Sequence, residues 1–66
     1  MEDDRILKWF DHGHLPIELQ SVSREFFNLS RSIVGSVAPG PERTVCLRKL
    51  LESKDAAVRA KLHPGG

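Results

Sequence analysis

The stretch Val37-Ala38-Pro39-Gly40-Pro41-Glu42 divides the chain into two arms. Pro39 stops a helix that arrives from the N-terminal side, Gly40 serves as cap or tight corner, and Pro41 suits the first position of a new helix, where its missing N–H costs nothing. Two long helices joined by so short a turn must run antiparallel. Upstream, Leu19, Val22, Phe26, Leu29, Ile33 and Val37 recur at spacings of three and four, which predicts a helix over Pro16 to Val37 with that face as the hairpin seam. Downstream, Cys46, Leu47, Leu50, Leu51, Ala57, Val58 and Leu62 predict a second helix over Pro41 to Leu62. The two arms match in length at about 33 Å each. The expected fold is all-α: one antiparallel two-helix hairpin, residues 1–66, with a short N-terminal lead-in, assembled into a homo-oligomer.

Self-association is expected for two reasons. A chain of 66 residues, 39% hydrophobic and 29% charged, builds only a thin core. In addition, Phe27 and Val34 form a second, narrower stripe on the first helix, with Ser23 and Ser30 between the stripes, and one partner arm cannot cover both. Ser23, Phe27, Ser30 and Val34, with Lys54 of the second helix, are therefore the expected oligomer interface. Lys54 falls within the apolar stripe of the second helix, where it snorkels to the edge, pairs with a carboxylate across the interface, or reaches a bound phosphate, in that order. Arg48, Glu52, Asp55 and Arg59 share the opposite, solvated face.

The single cysteine, Cys46, excludes an internal disulfide and reads as a buried helix residue in a reducing compartment. No stretch approaches a membrane span, and the acidic Met1-Glu2-Asp3-Asp4 is unlike a signal peptide, so a cytoplasmic protein is expected. Ten Lys+Arg against nine Asp+Glu gives a formal charge of +1, too balanced for non-specific DNA binding. Phosphate loop, nucleophile elbow and metal-ligand spacing are all missing, so no catalytic residue, metal or cofactor is expected.

Two local features are suited to an anion or a base. The start of the second helix, Gly40-Pro41-Glu42-Arg43-Thr44, offers outward amides, a planar guanidinium and a hydroxyl, although ordinary capping accounts for it equally. In the lead-in Arg5-Ile6-Leu7-Lys8-Trp9-Phe10, Trp9 and Phe10 stand near His12 and His14, as a platform for a purine or as core. His63-Pro64-Gly65-Gly66 reads as a loose tail.

The run His14-Leu15-Pro16, then Leu19-Gln20, Phe27, Leu29-Ser30 and Ile33, and finally Pro39 through Ser53, resembles the hairpin domain of phage anti-CBASS and anti-Thoeris sponge proteins. The resemblance covers about Phe10 to Ala60 and rests on the order and spacing of modest motifs. It implies a small helical homo-oligomer, a hexamer by the family's habit. It also implies that cyclic dinucleotides, cyclic trinucleotides or cyclic ADP-ribose derivatives are sequestered without cleavage in the host cytoplasm, with no DNA or membrane partner. Carried over by position, Arg43 and Thr44 match the family's post-turn basic and hydroxyl residues, Lys49 its helix lysine, and His14 and Pro16 its lead-in. With Gly40, Trp9, Phe10, His12 and Arg48 these form the candidate ligand-binding set. The chain departs from the family at Gly13, where an aromatic precedes His-x-Pro, and at Asp55-Ala56-Ala57-Val58, which replaces a Met-Trp-Ala-Asn step. A small protein-interaction hairpin that grips a host protein is the competing expectation.

Overall fold

The computed structural model describes residues 6–10 and 15–65; the proposed contacts of His12 and His14 lie outside them. A lead-in ending in a 3-10 turn, Lys8–Phe10, precedes two helices, α1 (Ile17–Ser36) and α2 (Pro41–Leu62). Among the described residues there is no strand. The expected helical hairpin is therefore present, with helix ends within a residue of those read from the turn signals.

Each helix end has a local cause. Pro16 sits just outside α1 at φ −53°, ψ 149°, and its carbonyl accepts from the amides of Leu19 at 2.9 Å and Gln20 at 3.1 Å. The Gln20 side chain reaches back, its Nε2 donating to the Leu15 carbonyl at 2.7 Å, which ties the incoming chain to the first turn. Val37 turns extended at φ −118°, ψ 127° and ends α1 two residues ahead of Pro39, which has no N–H with which to continue the helix. Pro41 occupies the first turn of α2 beside Glu42, while Arg59 and Lys61 stand in the last turn, so both ends complement the helix dipole.

The seam between the helices differs from the expected one. On α1 the buried positions are Leu19, Ser23 and Ser30, whereas Leu29 is 49% and Val37 47% exposed. On α2 they are Arg43, Leu47 and Lys54. Because α1 ends at Ser36 and α2 starts at Pro41, equal rise per residue sets Ser30 level with Leu47 and Ser23 level with Lys54. Each small serine thus faces a long side chain, and that size match draws the seam about 50° round α1 from where the apolar periodicity alone had centred it. The Ser30 hydroxyl donates to the Phe27 carbonyl at 2.7 Å, whereas the buried Ser23 hydroxyl finds no partner among the described residues.

The lead-in completes the core. Ile6, Phe10 and Leu47 form one buried cluster, with Phe26, Phe27, Ile33, Val34, Leu50 and Leu51 packed around it. Two sequence expectations are corrected here. Ser23 and Ser30 belong to the intrachain seam at 0% exposure, so they do not form an oligomer interface, and Phe27 and Val34 are partly covered by the chain's own core. Cys46, expected to be buried, is exposed. It lies four residues from Leu50 on the flank of α2, outside the stripe that runs through Leu47.

Candidate functional site

Arg43 opens α2 and is only 5% exposed. Its Nη1 donates to the carbonyl of Val37 at 2.8 Å and of Val34 at 3.3 Å. Those carbonyls belong to the last turn of α1, where main-chain acceptors have no partner within the helix and carry partial negative charge. The guanidinium therefore caps α1 from the neighbouring helix and braces the turn, a role that the sequence reading, which offered Arg43 to a phosphate, did not give it. A signal for this was legible: Arg43, Leu47 and Lys54 share one stripe by spacing, so Arg43 faces the partner helix as Leu47 does.

Lys54 follows the same logic. It is 8% exposed, and its Nζ donates to the Trp9 carbonyl, so its partner is the lead-in of its own chain. None of the three roles expected for it (solvent, carboxylate or phosphate) is what the structure shows. The contact closes the end of the 3-10 turn while the four-carbon stem packs under it. Lys54→Ala is expected to lower stability by about 2 kcal/mol through loss of that stem and of the charge-assisted bond. Lys54→Met keeps most of the stem and is expected to stay within about 1 kcal/mol of the parent. Urea unfolding followed by circular dichroism checks both, and equal losses would mean that the amine rather than the stem matters.

The two aromatics of the lead-in separate. Phe10 is fully buried, which removes it from any stacking surface. Trp9 next to it is 59% exposed, and the Lys8 ammonium lies 5.3 Å from its ring centroid. The ammonium lies over one face of the ring, so the exposed indole carries local positive charge on that side. On α2, Arg48 and Lys49 line a shallow cleft with Val45, Leu51 and Glu52, and Lys49 Nζ lies 3.6 Å from the Glu52 carboxylate. Gly40 and Thr44 are half-buried at the turn, where the Thr44 amide donates to the Gly40 carbonyl at 3.1 Å.

These positions fall into two groups within one chain. The Trp9 backbone is held at Lys54, eleven residues along α2 from Arg43, a distance of about 16 Å along the helix. Gly40, Arg43 and Thr44 cluster at the turn, whereas Arg48 and Lys49 lie five to six residues along α2 from Lys54, which holds Trp9. A single ligand spanning Trp9 and the turn does not fit a compact site on one chain. Among the described residues no group of three or more His, Cys, Asp or Glu side chains is placed to hold a metal ion. Among the described residues no helix is long and apolar enough to cross a membrane. No family model, curated protein or solved structure matches this chain.

Proposed function

We propose that this chain is a non-enzymatic phage anti-defence sponge, a homo-oligomer that binds cyclic oligonucleotide or cyclic ADP-ribose signals in the host cytoplasm and holds them uncleaved. The observation that carries this reading is Trp9. Leaving an indole 59% exposed forgoes apolar burial that a thin core needs, and a base stacked on its face beside Lys8 would restore it. The order of motifs along the two arms supports the same ligand class. Arg48 and Lys49, closer along α2 than the turn to the Lys54 that holds Trp9, supply cationic partners for phosphate. Sequestration then follows from mass action: a stoichiometric binder lowers the free messenger concentration and needs no chemistry.

Titration calorimetry of the intact chain against cyclic dinucleotides, cyclic trinucleotides and cyclic ADP-ribose isomers tests the reading. At least one is expected to bind and to be recovered unaltered from the denatured complex. Trp9→Ala is expected to weaken that binding by about 1 to 3 kcal/mol, some fivefold to over a hundredfold. Absence of binding by all of them, or a linear product, would sink the proposal. The competing reading, a hairpin that grips a host protein, draws on exposed apolar side chains such as Ile17 at 81% and Leu62 at 53%, and absence of nucleotide binding would favour it.

A further inference from the structure

The two flanks of the hairpin are unlike. Around the α1 seam of Leu19, Ser23 and Ser30, the 100° step per residue puts Val22, Phe26, Leu29 and Ile33 on one side and Gln20, Phe27 and Val34 on the other. Around the α2 seam, Cys46, Leu50 and Ala57 lie to one side and Thr44, Leu51 and Val58 to the other. In an antiparallel pair, flanks of the same rotational sense adjoin. Val22, Phe26, Leu29 and Ile33 thus share a face with Cys46, Leu50 and Ala57.

That face is apolar across both arms and incompletely covered. Leu29 is 49% exposed and Cys46 is exposed, while Val22, Phe26, Ile33, Leu50 and Ala57 are only partly buried. The chain's own approach to α1 lies on the other flank, where Leu15 lines a cleft with Val58 and Asp55. Charges appear only at the rims of the open face: Glu18 and Glu25 on the α1 edge, and on the α2 edge Glu42 with Lys49, whose contact to Glu52 is solvent-exposed.

We propose that a second copy of this chain docks on the face of Val22, Phe26, Leu29, Ile33, Leu50 and Ala57, with α1 lying over the partner's α2, to complete a four-helix bundle. The inference rests on the self-association part of the proposed function and names the surface that performs it. A two-fold axis parallel to the helices sets every neighbouring pair antiparallel and brings Glu25 within about one helical turn of the partner's Lys49, twice over. The alternative, α1 over α1, lines the acidic Glu18 and Glu25 edge with its own copy. The face measures about 17 Å along the helices and about 20 Å across two of them, so about 340 Å² per copy is covered. That total of about 680 Å² is below the size of standard specific interfaces, so the pairing is expected to be weak and reversible, in the high-micromolar to millimolar range.

Sedimentation velocity from micromolar to millimolar concentration reads the result. The parent is expected to pass from monomer to even-numbered species. Leu29→Glu is expected to weaken association more than about tenfold with helicity unchanged by circular dichroism, because Leu29 is half exposed and not needed for the hairpin core. Ile17→Glu, at a residue 81% exposed and off this face, is expected to leave association as it is. Glu25→Lys and Lys49→Glu singly are expected to weaken association a few-fold, and together to recover it. A parent that stays monomeric throughout overturns the self-association reading itself. If the parent associates and Leu29→Glu associates equally well, the second copy docks elsewhere. Failure of the double exchange to recover association overturns the α1-over-α2 arrangement.

Discussion

Phe10→Ala is expected to unfold most of the protein at ambient temperature. Phe10 is fully buried and, with Ile6 and Leu47, forms the central cluster, so its truncation removes a large side chain from the middle of a small core. Such truncations cost about 3 to 5 kcal/mol, which is comparable to the whole stability of a domain of this size. Four residues carry the buried apolar core, and the lead-in supplies two of them, so the hairpin is not expected to hold its helices with the lead-in detached. Phe10→Leu retains most of the volume and is expected to cost about 1 to 2 kcal/mol. Thermal unfolding by circular dichroism, compared at matched protein concentration, measures both. A Phe10→Ala variant with a parent-like melting temperature would show that the hairpin is stable without its lead-in.

Arg43→Ala is expected to cost about 3 kcal/mol, close behind. Two charge-assisted hydrogen bonds to the Val34 and Val37 carbonyls disappear, and acceptors in the last turn of α1 are left beside a cavity. In a domain of this length that corresponds to a fall in melting temperature of about 12 to 24 °C. Arg43→Lys keeps the charge but sets its single ammonium on a shorter stem, away from the point where Nη1 meets both carbonyls, so an intermediate loss of about 1 to 2 kcal/mol is expected. Any effect of Arg43→Ala on nucleotide affinity should follow the fraction of chain still folded. A variant as stable as the parent that has lost nucleotide binding would return Arg43 to the ligand site and contradict the capping role.

Arg43 and Lys54 also show how far residue type alone carries an argument. A basic residue at the start of a helix and a lysine in an apolar stripe both invite an anionic partner, yet each here donates to main-chain carbonyls of its own fold. Helix ends and 3-10 turns leave such carbonyls without partners, and a buried cation is one of the few groups that satisfies them. Trp9 and Phe10 make a similar point. They are adjacent in sequence, and nothing in their composition separates the buried ring from the exposed one.

What the sequence determined by itself is the hairpin: Pro39-Gly40-Pro41 ends one helix and starts the next, and the three-and-four spacing on either side runs nearly to the observed ends at Ser36 and Leu62. These are local matters of backbone sterics and periodicity, readable without a partner surface. The tertiary structure alone decided which stripe of α1 meets α2. Periodicity locates apolar residues, but contact between helices is governed by how closely their axes approach, and Ser23 and Ser30 allow Lys54 and Leu47 to fit where Leu29 and Val22 would hold α2 away. That choice of stripe left Leu29 and Cys46 outside, turned Arg43 and Lys54 inward, and set the face on which a second copy is inferred to dock.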